Sequence, residues 1–173
     1  MNRVGMTYSK FEGKYADLSE KILEVFFKVY QELGYGFNEK VYQNALMIAL
    51  KEAGFNVEGQ RSISVYFRGQ VVGEYFADIV VNNIILLELK TAKQIIDEHE
   101  AQLLDYLKAT YFEVGYVLNF GPTYSFKRKI YDNERKGPLT WVHMGTQVNL
   151  KSVCSVFFRV LKRISPLASR KSL

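Results

Sequence analysis

The chain reads as an α/β protein built around one sheet, and three observations predict this. Two amphipathic helical stretches lie between residues 17 and 53, strand-like segments fill 55–90, and a third helix then precedes two more strands. The 173 residues fit one domain with a sizeable core. An apolar content of 48% with 12 Tyr and 12 Phe argues for a globular chain over a disordered one.

Taken in order, residues 1–15 lack periodicity and read as an N-terminal arm. Asp17 or Ser19 is the expected cap of a helix in which Leu18, Ile22, Val25, Phe26, Val29 and Leu33 share one face, ended by Gly34 and Gly36. Asn38 is the expected N-cap of a second helix, Glu39–Ala53, with Leu46, Ala49 and Leu50 inward and Val41, Ala45 and Ile48 alongside. Phe55–Phe67 alternates like a strand with Ile63, Val65 and Phe67 on one face, and Arg68-Gly69-Gln70 is a turn.

The stretch Glu74–Lys90 follows, two apolar runs about Asn82-Asn83, and it reads as a β-hairpin. A third helix opens at Asp97, its acids at the favoured end of the dipole. Val114–Phe120 is a short strand, and Tyr124–Tyr131 an exposed edge strand whose Lys127, Arg128 and Lys129 face solvent. Gly137-Pro138 marks a boundary. Beyond it Val148, Val153, Val156, Phe157, Val160 and Ile164 form an apolar face opposite Lys151, Arg159 and Lys162. This extension, 137–173, is expected to dock on the body, with contact to a membrane surface, a nucleic acid or another partner as alternatives.

Charge and cysteine usage exclude several functions. One cysteine, Cys154, rules out an internal disulfide framework, and two histidines disfavour a His-based metal centre. The net charge of +5 is a property of the C-terminal end. Residues 151–173 hold six basic side chains and no acid, leaving 17 basic against 18 acidic residues before them. General basicity therefore gives no support for nucleic-acid binding by the body. Without an apolar leader or a bilayer-length apolar run, the expectation is a cytoplasmic protein.

The chemistry concentrates in the hairpin, where Asp78, Glu88 and Lys90 stand inside apolar strands and need partners or a metal. Mg²⁺ or Mn²⁺ takes hard oxygen ligands, here Asp78, Glu88 and the Leu89 backbone carbonyl, and Lys90 falls on the same face as Glu88. Lys90 would then orient or deprotonate a water, or stabilise charge on a phosphate. Register decides the matter. A two-residue turn puts Asp78 and Glu88 on opposite faces, whereas a three-residue loop, Asn82-Asn83-Ile84, or a bulge in either strand sets them on one face. On the third helix His99, Gln102 and Tyr106 form a polar stripe beside Leu103, Leu104 and Leu107, and on the second Glu39 lies one turn from Tyr42. Glu39 is either a further carboxylate near the metal or a first-turn acid, Gln102 and Tyr106 either site residues or packing, and His99 a surface or supporting residue.

Gly36-Phe37-Asn38-Glu39-Lys40-Val41-Tyr42 resembles the signature of the GxxExxY proteins, a group within the PD-(D/E)xK nuclease superfamily. Val29–Gly34, Ala77-Asp78, Glu88-Leu89-Lys90, Asp97–Thr110 and Leu118–Gly121 are similar to that family in the same order, and Gln102-x-x-x-Tyr106 resembles a motif of its RecB-like branch. The resemblance implies a restriction-endonuclease-like core over 16–136, a central mixed sheet flanked by helices. It implies a metal-dependent phosphodiester hydrolase acting on nucleic acid, DNA before RNA, with Asp78, Glu88 and Lys90 as catalytic core and Gln102 and Tyr106 in support. A non-catalytic nucleic-acid- or protein-binding module on the same scaffold is the alternative, and a homodimer or larger complex stays open.

Overall fold

The computed structural model describes residues 12–68 and 70–136. The C-terminal extension, its amphipathic face and the greater part of the N-terminal arm lie outside the described residues. Helices α1 (Ala16–Leu33) and α2 (Glu39–Glu52) precede strands β1 (Val57–Phe67), β2 (Gln70–Val81) and β3 (Ile85–Lys90). Helix α3 (Asp97–Ala109) leads to β4 (Val114–Asn119) and β5 (Ser125–Ile130). The strands form one mixed sheet in chain order, β3 and β4 parallel across α3 and the other neighbours antiparallel.

Strands β3 and β4 are the centre, and their unbroken apolar runs follow from burial on both faces. Ile85, Leu87 and Leu89 pack with Ile22 and Phe26 of α1 and Leu46 of α2. Leu86 and Val117 pack on the other side with Leu103 and Leu107 of α3.

Helix α1 begins before either expected cap. Asp17 lies in its first turn and Ser19 is buried, its N–H donating to the Tyr15 carbonyl at 2.9 Å. Asn38 caps α2 as expected, accepting from the Val41 N–H at 3.2 Å. Leu46 and Leu50 of α2 are buried as expected and Ala45 and Ala49 pack beside them, but Tyr42 and Gln43 join the inward face while Val41 and Ile48, expected alongside it, are exposed, Ile48 by 59%. An aromatic at 42 with leucines four and eight residues on makes the better stripe, and Ile48 falls outside it. Strand β2 also starts earlier than the expected hairpin, at Gln70, so β1 and β2 make a long ribbon with a bulge at Val65/Tyr66. In it Ile63 is buried but Phe67 is exposed, against the alternation, because past the bulge Phe67 is carried away from α3, on which Ile63 packs.

On the β5 edge Lys127 faces solvent, but its neighbours do not merely solvate the edge. Arg128 donates to the Glu12 carbonyl at 3.2 Å and to that of Lys14, and Lys129 pairs with Glu100 of α3.

Lys136 closes the described body. It is buried, and its ammonium donates to the carbonyls of Thr110 at 2.8 Å and Phe112 at 2.5 Å. Burial pushes its pKa down to about 8, with Glu113 opposing. Between that value and the usual 10.5 the unfolded chain binds more protons than the folded one, so this residue's contribution to stability rises with pH. The stability of the native protein relative to Lys136→Met should therefore increase between pH 8 and 10.5, by up to about 3 kcal/mol. Urea unfolding at three pH values checks the sign.

Candidate active site

The loop between β2 and β3 has three residues, Asn82-Asn83-Ile84, with Val81 opposite Ile85 and Ile79 opposite Leu87. Continuing this register sets Asp78 against Glu88. Asn82 and Asn83 both take the left-handed conformation that asparagine tolerates, and the Ile84 N–H donates to the Val81 carbonyl at 2.9 Å. The Asn82 N–H is held by the Asn56 carbonyl at 2.7 Å, and its side chain accepts from the Asn56 N–H at 2.9 Å. The loop is thus tied down on both sides of the turn.

At Asp78 the strands part. Ile79 and Val81 pack in the core of α1 and α2, yet Ala77 packs with Ile63 on the α3 side. Gln60, across the ribbon, has a positive φ of 53°, so the kink is shared by both strands. In place of a further ladder bond, Asp78 Oδ2 accepts from the Leu89 N–H at 2.8 Å, and Oδ1 accepts from Gln60 Nε2 at 3.1 Å. The Asp78 carbonyl accepts from Gln43 Nε2 at 2.6 Å.

Glu88 is 3% exposed. Its Oε1 accepts from Lys90 Nζ at 2.7 Å, while Oε2 is buried with no hydrogen-bond partner among the described residues. Burial and the charge of Asp78 push its pKa up to about 7 against the pull of Lys90. Lys90 shows the converse. Its own burial disfavours the ammonium, but the hydrogen bond to Glu88 and the charges of Glu88, Glu39 and Asp78 outweigh that and raise its pKa.

Glu39 is half-buried, and its pKa is raised by that burial, with Lys90 opposing and Asp78 adding. It is therefore a member of the same charge cluster although it comes from α2. The spacing of Gly36, Glu39 and Tyr42 has a physical reason. Gly36 takes a φ of 116° to enter the helix, and the buried Tyr42 stacks on Phe120 with centroids 4.4 Å apart. The Tyr42 hydroxyl donates to the Gly34 carbonyl at 2.8 Å and accepts from the Phe37 N–H at 3.3 Å. The tyrosine thus fixes the turn that delivers Glu39 to the sheet.

From α3, Gln102 Nε2 donates to the Tyr106 hydroxyl at 2.5 Å. Burial raises the Tyr106 pKa, and it senses Glu88, Lys90 and Asp78. His99 stands apart in role, its Nδ1 accepting from the Ile96 N–H at 3.4 Å across the first turn of α3. Leu89 directs its side chain into the α1–α2 core. Among the described residues, no three His, Cys, Asp or Glu side chains gather into a group able to hold a metal ion alone.

Three supporting residues were not expected at the site from the sequence, although Asn119 lies in the family-like segment Leu118–Gly121. Gln43 and Gln60 hold Asp78, and Asn119 locks the strand after Lys90. Its Oδ1 accepts from the Ala92 N–H and its Nδ2 donates to the Ala92 carbonyl, both at 2.9 Å, and the Phe120 N–H donates to the Lys90 carbonyl at 2.7 Å. Gln43 was findable from its place four residues after Glu39 on the same helix stripe.

With this geometry in hand, comparison with known proteins is informative. The family model of the PD-(D/E)XK nuclease superfamily matches residues 16–131. The chain belongs to this superfamily. The match spans α1 to the end of β5, so the mixed sheet and its flanking helices are the superfamily's restriction-endonuclease-like α/β fold. Two solved structures are similar to this superfamily member. The crystal structure of SSO0001 is 17% identical with a TM-score of 0.45, over 90% of this chain and 80% of that one. An alkaline exonuclease from Laribacter hongkongensis is 12% identical with a TM-score of 0.41, over 89% and 90% respectively. No curated protein matches. No helix among the described residues is long and apolar enough to cross a membrane.

Proposed function

We propose that the chain is a divalent-metal-dependent nuclease of the GxxExxY group that hydrolyses phosphodiester bonds in DNA, with Mg²⁺ or Mn²⁺ as the ion. The observation that carries this reading is the buried Glu88 Oε2, a carboxylate oxygen without a hydrogen-bond partner among the described residues, beside the Asp78 charge at the point where β2 leaves β3. A buried carboxylate in that state is costly unless a cation completes it. Asp78, Glu88 and the Leu89 carbonyl would hold the ion, a hard-oxygen set suited to Mg²⁺ with water filling the remaining positions. When bound, the ion lowers the pKa of a water and neutralises charge on the phosphate.

The chain's own residues supply the rest. Lys90 is held protonated by three carboxylates, and an ammonium cannot take a proton. We therefore assign it to charge neutralisation at the phosphate, not to deprotonating water. Tyr106, kept neutral by burial and accepting from Gln102, retains its own proton to donate to a phosphate oxygen. Glu39 steadies Lys90 from the α2 side.

The test is cleavage of end-labelled single-stranded DNA, duplex DNA and RNA, with Mg²⁺, Mn²⁺ or EDTA. Cleavage of DNA that EDTA abolishes is expected, together with calorimetric Mn²⁺ binding that Glu88→Gln removes. Preference for RNA would overturn the substrate. Binding of nucleic acid without cleavage under every metal condition would instead make the chain a recognition module on a nuclease scaffold.

A further inference from the structure

Two helices bring tyrosines to the charge cluster from opposite faces of the sheet. Tyr42 of α2 belongs to the core on one face and Tyr106 of α3 to the core on the other. Glu39, one turn before Tyr42, and the Tyr106 hydroxyl both sense the charges of Asp78 and Lys90. Each tyrosine is buried, and each carries a second aromatic ring toward solvent. Phe37 lies against Tyr42 with ring centroids 6.1 Å apart, and Tyr75 of β2 against Tyr106 at 5.4 Å. Phe37 is 50% exposed and Tyr75 39%.

Both outer rings are braced from behind. The Phe37 N–H is held by the Tyr42 hydroxyl at 3.3 Å, and Tyr75 pairs across the ribbon with Ile63, which is buried on the α3 side. A ring fixed at its backbone and backed by a buried ring offers a flat apolar surface with little freedom left to lose on binding.

We infer that Phe37 and Tyr75 stack on unpaired bases of the DNA strand whose phosphate enters the proposed metal site, so that the enzyme takes single-stranded DNA. The inference rests on the nuclease reading and names the form of its substrate. Charge favours bases over phosphates as the main grip. Before residue 151 the chain has 17 basic residues against 18 acidic, and at the cluster Lys90 is already paired with Glu88. A body without a cationic track holds a strand poorly by its backbone alone. Base–aromatic stacking supplies about 10-fold or more per base and tolerates any sequence. In a fully paired duplex the base faces are covered by their neighbours, and the two rings have nothing to stack on.

Fluorescence anisotropy of the full chain tests it, with Ca²⁺ in place of Mg²⁺ to hold the strand uncleaved. One labelled probe is a thymidine strand of about 15 nucleotides, and the other a strand of equal length made of abasic sites. The second keeps every phosphate and loses every base. The wild type should bind the first at least about 10-fold more tightly. Phe37→Leu and Tyr75→Leu should each remove much of that advantage without changing the affinity for the abasic strand, whereas Phe37→Trp and Tyr75→Phe should keep it. Both side chains already reach solvent, so circular dichroism should be unchanged. Should a leucine variant misfold, the wild type's preference between the two strands decides. Equal affinity for the two strands, or none for either, overturns the inference. So do leucine variants that weaken both strands alike, the mark of a structural role, and a wild type that cleaves paired duplex as fast as the thymidine strand in Mg²⁺. Cleavage without a base preference removes the inference and spares the nuclease reading. A base preference lost in the leucine variants, with no cleavage in Mg²⁺ or Mn²⁺, supports the stacking and removes the nuclease reading.

Discussion

Asp78→Asn and Lys90→Met are each expected to lower DNA cleavage at least about 10³-fold while leaving the thermal midpoint within a few degrees of the wild type. The asparagine keeps an oxygen that can accept from the Leu89 N–H, so the strand geometry survives and the charge alone is removed. Lys90→Met keeps the stem and deletes the ammonium. The partner it leaves, Glu88, already lies near pH 7 and can take a proton instead of standing as a buried bare anion. Single-turnover cleavage at saturating Mn²⁺ separates the two variants. Asp78→Asn weakens apparent metal affinity, whereas Lys90→Met lowers the rate at full metal occupancy. A Lys90→Met variant that cleaves at the wild-type rate would remove Lys90 from the chemistry.

Gly121→Ala is expected to destabilise the protein by about 3 kcal/mol or more, with partial loss of metal binding. Gly121 is buried beside the bend that follows β3, and a β-carbon there would overlap the Ala92 carbonyl oxygen while crowding the Asn119 amide at 2.9 Å. Neither neighbour can retreat cheaply. The carbonyl is backbone, and Asn119 is fully buried with both ends of its amide engaged by Ala92. The strain must pass into Lys90–Ala92 and displace the ammonium two residues upstream. Chemical denaturation measures the first effect and Mn²⁺ calorimetry the second.

Much of the site could be read from the chain because it rests on strand arithmetic. Counting back from Asn82-Asn83 with a two-residue period gave a condition, an odd register if Asp78 and Glu88 share a site, and the three-residue loop with both asparagines at positive φ meets it. The helical spacing of α3 put Gln102 and Tyr106 on one stripe, and the two are hydrogen-bonded to each other in the structure. Of the supports only Gln43, on the helix stripe of Glu39, had a signal in the spacing, and that signal did not reveal its partner. Gln43 reaches the Asp78 carbonyl across 35 residues and Asn119 reaches Ala92 across 27, and a side chain bonded to a distant backbone group leaves no periodicity behind. Glu39 looked equally like a first-turn acid, since what distinguishes it is the turn that Tyr42 pins against Phe120. The ribbon misled for a related reason. Phe67 continues the alternation of Ile63 and Val65 along the chain, but past the bulge at Val65/Tyr66 it is carried away from α3.

The carboxylate of Asp78 also acts as a hinge pin. Beyond Ile79 the described structure ties β2 to β3 through that side chain, by its bond to the Leu89 N–H, so the group proposed to bind an ion also sets how far the two strands open. A displacement of the ribbon is therefore delivered to the point where Asp78 sits. A substitution far out on β1 or β2 that shifts the ribbon is expected to change the affinity for the ion that Asp78 is proposed to hold, which Mn²⁺ calorimetry measures.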